Sequence, residues 1–151
     1  MKIGFIGLGN VGGKLAKNLL NNQFDVIVLD KDTKITDEFE SNGCKVSKSI
    51  EDIVEKTDII ITCLPSPKAC AEVLESENGL IKNIGNDQIW IEMSTTDEDQ
   101  LKRHASLIES KNAIALEAPV SGGCHRAATG NISIFVGGSR EGFEKALPVL
   151  K

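Results

Sequence analysis

The chain has 151 residues, enough for one compact domain, and 40% of them are hydrophobic, enough to build a core. Its 17 Lys and Arg stand against 22 Asp and Glu, a net charge of -5, and no basic block could neutralise a row of phosphates, which argues against nucleic acid and anionic membranes as partners. No apolar run has the length to span a bilayer, and the first residues run into a glycine turn where a signal peptide would need a long apolar stretch and a cleavage site.

A first strand is expected at Lys2 to Ile6, then a tight turn and a helix from about Val11 to Asn21, with Val11, Leu15, Leu19 and Leu20 on its packed face. Phe24 to Leu29 reads as a second strand, almost continuously apolar as when both faces are covered. Thr33 to Asn42 suits a short helix that Gly43 would end, and Cys44 to Val46 a short strand. Ser49 is placed to cap a helix through Lys56, with Asp52 three residues on as in a capping box.

Ile59 to Leu64 is the strongest strand signal, closed by Pro65 and Pro67, and Ala69 to Glu75 is helical in character. Ile89 to Met93 forms another buried strand, and Thr96 stands where it could cap a polar-faced helix from Asp97 to about Ser110. Ala113 to Val120 and Ile132 to Val136 suggest two more strands around a loop holding Gly122 and Gly123, and a last helix is expected from near Arg140 to the end. Regular alternation of strand and helix predicts an α/β, Rossmann-type, doubly wound and mainly parallel sheet in three layers, with residues 1–151 as one domain. An apolar helix reaching Val149, Leu150 and Lys151 without a stop signal predicts a domain that continues.

Gly7-Leu8-Gly9-Asn10-Val11-Gly12 has GxGxxG spacing between an expected strand and an expected helix. Gly7 would permit the turn, Gly9 the approach of a pyrophosphate, and Gly12 close packing of helix on strand, while the helix N-terminus offers N–H groups to the phosphates. Asp30, at the end of the second strand, is positioned to accept hydrogen bonds from ribose hydroxyls and to repel a 2′-phosphate. Lys31 and Lys34 could offset that repulsion, so NAD is favoured and NADP stays open. The other reading of the motif is an ordinary glycine turn.

The stretch Gly4 to Gly12, followed by Ala16-Lys17-Asn18-Leu19, resembles the amino-terminal signature of the 3-hydroxyisobutyrate dehydrogenase, or β-hydroxyacid dehydrogenase, family. Three later segments resemble the same family in the same order: Leu64-Pro65-Ser66, Met93-Ser94-Thr95, and Glu117-Ala118-Pro119-Val120-Ser121-Gly122-Gly123. Ala127 or Ala128, Gly130 and Val136-Gly137-Gly138 continue the last match. The family usually has methionine at Val11 and aspartate at Glu92 and Glu117; both acids keep their charge on a longer side chain.

The resemblance implies that Gly7, Leu8, Gly9, Asn10, Val11, Gly12, Asp30, Leu64, Pro65, Ser94 and Thr95 line a cofactor, and that Ser121, Gly122 and Gly123 hold the carboxylate of a small 3-hydroxy acid or its semialdehyde. Hydride would pass between that substrate and the nicotinamide, with a lysine as general acid or base. By the same resemblance that lysine lies beyond Lys151, at the start of a helical second domain absent here, so no residue of this chain takes the role, and the full-length protein would be a homo-oligomer. A non-catalytic dinucleotide-binding or sensing module, and a relative acting on 6-phosphogluconate or an imine, are the alternatives.

The remaining reactive residues are read more plainly. Cys44, Cys63, Cys70 and Cys124 form no CxxC pair and are expected to be reduced, buried hydrophobes in a cytoplasmic protein, with no metal site. His104 is expected on a solvated helix face, His125 and Arg126 near the substrate mouth, and Met93 and Trp90 in the core.

Overall fold

In a computed structural model describing residues 1–151, the apolar runs form strands and the amphipathic stretches form helices that cover them. β1 (Lys2–Ile6), α1 (Gly12–Asn21), β2 (Asp25–Leu29), α2 (Thr33–Ser41) and β3 (Lys45–Val46) make the first half-unit. α3 (Ile50–Glu55) crosses to β4 (Ile59–Thr62), α4 (Pro67–Glu75) and α5 (Leu80–Asn83) to β5 (Ile89–Glu92), and α6 (Glu98–Glu109) to β6 (Ile114–Glu117). The remainder is β7 (Val120–Ser121), α7 (Gly123–Thr129), β8 (Ser133–Ile134), β9 (Gly137–Gly138) and α8 (Arg140–Leu150).

Seven strands lie in the order β3-β2-β1-β4-β5-β6-β9, parallel except for the antiparallel β9 edge, with β7 and β8 paired separately. This is the expected Rossmann-type, three-layer arrangement. Alternate strand residues feed two cores, one on each face of the sheet. Ile3, Phe5, Val28, Ile61 and Ile91 pack with Leu15 and Ala16 of α1, Phe39 of α2 and Ala146 of α8, while Ile60 and Trp90 pack with Ile53 of α3, Leu74 of α4 and Ile108 of α6. Each fully buried large aliphatic or aromatic side chain contributes about 1.5–3 kcal/mol.

Five helices start on a side chain that accepts an orphan N–H: Asp32, Ser49, Ser66, Asp97 and Ser139 cap α2, α3, α4, α6 and α8. Asp97 takes the place expected of Thr96, because the Thr96 hydroxyl is buried without a partner while the Asp97 carboxylate accepts from Gln100 N at 3.0 Å. Pro67 opens α4 instead of closing a strand, since a first-turn proline has no N–H to lose.

The expected strand from Ala113 to Val120 is divided between β6 and β7, with Ala118 and Pro119 between them, because proline cannot donate to a ladder. The expected strand at Ile132 to Val136 is reduced to β8, and the sheet is extended instead by Gly137–Gly138. His104 is corrected from a solvated to a buried residue: its ring is 1% exposed, its Nε2 lies 2.6 Å from Glu75 Oε1, and it meets Trp90 edge to face. The Arg103 guanidinium also grips Glu75, at 2.6 and 3.0 Å, so α4 and α6 are clamped together. No helix is long and apolar enough to cross a membrane.

Candidate functional site

The Gly7, Asp30, Leu64 and Ser94 loops leave the carboxyl ends of the parallel strands β1, β2, β4 and β5, whereas the Ser121 loop follows β7 of the separate antiparallel pair. Between β1 and β4 the chain diverges: β1 leads to α1 on one face of the sheet, and β4 leads to α4 on the other. A crevice opens where connections part in this way.

The three motif glycines meet different constraints. Gly7 has φ +97°, and a Cβ there would lie 2.4 Å from the Cys63 carbonyl oxygen. A Cβ on Gly12 would lie 2.1 Å from the Gly7 oxygen, so α1 can rest on the turn only with glycine at that place. Gly9 is exposed, and a Cβ built on it meets nothing within 4 Å. The protein itself therefore does not require glycine at Gly9; the open space suits something that approaches from outside. Leu8 is buried, Asn10 exposed and Val11 half-buried at the mouth of α1, a helix with no side-chain cap.

Asp30, half-buried at the end of β2, closes the turn from the other side. Its Oδ2 accepts from Leu8 N at 2.6 Å and its Oδ1 from Asp32 N at 2.8 Å. A carboxylate has about four acceptor sites, so capacity remains for a ligand's hydroxyls. Lys31 and Lys34 are exposed beside it.

Across the crevice, Leu64 N donates to Ser94 Oγ at 2.7 Å, and Ser94 N donates to Glu92 Oε1 at 2.8 Å. Leu64 is half-buried and Ser94 buried, while Pro65 and Thr95 are exposed. Glu92 is 1% exposed, and its Oε2 has no hydrogen-bond partner. Burial pushes its carboxyl above the ordinary value of 4.5, opposed by the polar groups of Ser94 and Thr62 beside it. Burial, with the Glu92 carboxylate and Cys70 behind it, pushes the Cys63 thiol up to about 11, so it is no nucleophile at neutral pH.

Ser121, Gly122 and Gly123 are exposed, with φ +133° at Gly122 and +72° at Gly123. They lead into α7, a helix the sequence reading missed. α7 docks on α1 through the buried Ala127, whose carbonyl accepts from Asn18 Nδ2 at 2.5 Å. The structure thus brings the Ser121 loop beside the helix that starts at Gly12. Asn18 lay inside a motif but nothing in its spacing marked this bond across 109 residues. His125, Arg126 and Cys124 are exposed on this segment, which corrects the expectation that all four cysteines are buried. Cys44 and Cys70 are buried, Cys63 half-buried, and Trp90 and Met93 lie in the core as expected. Nowhere do three His, Cys, Asp or Glu side chains converge as metal ligands would.

Residues 2–151 match the family described as the NAD binding domain of 6-phosphogluconate dehydrogenase. The chain belongs to that family. The domain is similar to the mitochondrial 3-hydroxyisobutyrate dehydrogenase of Mus musculus, 38% identical over 149 residues that cover 99% of this chain and 44% of the mouse protein. Among solved structures it resembles the Mycobacterium tuberculosis 3-hydroxyisobutyrate dehydrogenase with L-serine, at 28% identity and TM-score 0.88 over 99% of this chain and 50% of that one. It also resembles Psf3 in complex with NADP+ and 2-OPP, at 25% identity and TM-score 0.95 over 98% of this chain and 52% of that one. The chain thus spans about half the length of these relatives, and the resemblance to the 3-hydroxyisobutyrate dehydrogenases extends along nearly all of it.

Proposed function

We propose that this domain binds a nicotinamide dinucleotide, NAD in preference to NADP, as the cofactor half of an oxidoreductase acting on a small 3-hydroxy acid or its semialdehyde. Gly7, Leu8, Gly9, Asn10, Val11 and Gly12 would receive the pyrophosphate at the uncapped start of α1, and Asp30 the adenosine ribose. Leu64, Pro65, Ser94 and Thr95 would line the rest of the dinucleotide. Ser121 and the N–H groups of Gly122 and Gly123 would hold the substrate carboxylate, because successive amides at a glycine pair form an anion-binding concavity. The bound nicotinamide would supply hydride transfer. What this chain's residues contribute is orientation and shelter from water; a lysine acid or base remains expected outside these residues.

The observation that carries the reading is the open space over Gly9, between a turn that Gly7 and Gly12 hold shut and a carboxylate that closes it from β2. Calorimetric titration of NADH and NADPH tests it. Saturable binding, tighter for NADH, that disappears in Gly9→Asp and weakens in Asp30→Ala is the expected result. Absence of heat with either nucleotide from folded protein would overturn it.

A further inference from the structure

The last register row of the sheet, directly under the crevice, reads Ile6, Thr62, Glu92 and Glu117 from β1 to β6. Glu92 is the buried acid of that row, at 1% exposure, beneath the start of α4. A buried carboxyl costs several kcal/mol unless its acceptors are used, and an apolar residue of like volume would fill the site at lower cost. Stability alone gives no reason for an acid here.

Geometry gives one. Glu92 Oε1 accepts the Ser94 N–H at 2.8 Å and so holds the Ser94 backbone at the start of the loop after β5. From that backbone the Ser94 side chain presents Oγ to Leu64 N, which donates to it at 2.7 Å. The chain of bonds runs Leu64 to Ser94 to Glu92, and it ties the loop after β4 to the loop after β5. Without the carboxyl, the Ser94 N–H would lose that acceptor and its loop that tie to the strand end.

We propose that Glu92 is a positioning residue which, by fixing Ser94, holds the Leu64 N–H and keeps the loops after β4 and β5 in a single arrangement along the cofactor. This rests on the reading of those loops as the cofactor wall. It concerns contacts within the chain, so part of it is measurable without a ligand.

The test compares Glu92→Leu, which keeps volume and removes the acceptors, with Glu92→Asp, Ser94→Ala and the Glu92→Leu/Ser94→Ala double variant. Hydrogen exchange of the Leu64 amide is followed without nucleotide, and NADH affinity is measured in parallel. The expected result is Leu64 exchange roughly tenfold faster in Glu92→Leu and in Ser94→Ala, no faster in the double variant, and restored at least in part in Glu92→Asp. NADH affinity should fall in the same pattern. Leu64 exchange unchanged in Glu92→Leu, or losses that add in the double variant, would overturn the proposal. Absence of NADH binding by the unaltered chain would instead remove the proposed function, while coupled Leu64 protection would still support the role of Glu92 between the loops.

Discussion

The two ends of the candidate site are built on different terms. At the glycine turn, Gly7, Leu8 and Gly12 are buried, Gly7 N donates to Leu29 O at 3.0 Å, and Asp30 locks the turn from a second strand. At the Ser121 loop, residues 121 to 126 are all exposed, and the glycines answer to positive φ at their own backbone. The two glycine-bearing loops therefore differ in origin: one is shaped mainly by what packs beneath it, the other by its own local conformation. Substitutions should separate them.

The largest effect is expected from Gly12→Ala, which must move α1 off the turn. A stability loss of roughly 3 kcal/mol or more by urea unfolding is expected, against less than about 1 kcal/mol for Gly9→Ala, whose new methyl meets open space. Equal losses in the two variants would break the distinction drawn for the turn.

Next comes the clamp between α4 and α6. Glu75→Ala leaves buried His104 without its Nε2 partner and should cost about 1–3 kcal/mol. The Arg103 guanidinium, with His104, holds the Glu75 carboxyl at about 2, below its ordinary 4.5. A depressed carboxyl contributes stability above its unfolded value, lost as pH falls from about 4.5 toward 2. Glu92, raised by burial, works in the opposite sense: its contribution is complete below 4.5 and is lost as pH rises through its folded value. Urea midpoints against pH should lose part of their acid limb in Glu75→Gln; an unchanged profile would remove Glu75 from the clamp.

Smaller effects belong to the exposed loop. Gly123→Ala, at φ +72° with no neighbour within 4 Å, should cost about 1–2 kcal/mol from backbone strain alone. Ser121→Ala should change stability by less than about 0.5 kcal/mol and leave NADH affinity as it was. A loss of NADH affinity in Ser121→Ala would show that the two ends are not separate.

What the sequence made legible follows the same division. β1, β2, β4 and β5 declared themselves because strands covered on both faces must be continuously apolar, and the glycine spacing was readable because strand, turn and helix had to meet. α7 escaped notice because Gly122 and Gly123 read as breakers and only Ala127 of the helix is buried, too little for a periodic signal. His104 passes for surface among its polar neighbours although it stands three residues after Leu101 and four before Ile108, on the packed stripe of α6. The bonds from Asn18 to Ala127 and from Leu64 to Ser94 join residues 109 and 30 positions apart, and no local pattern announces such pairs.

On the proposed reading, the missing cap of α1 makes the stability of the chain a function of its surroundings. Every other helix of comparable length has an oxygen of its own at the start; α1 has none, and on the proposed reading an arriving anion would supply it. A ligand that binds only the folded form adds about 2.7 kcal/mol at a hundred times its dissociation constant. On the proposed reading, the melting temperature of this domain is then a gauge of dinucleotide concentration, and a cell rich in cofactor holds a sturdier protein than a dilute buffer does.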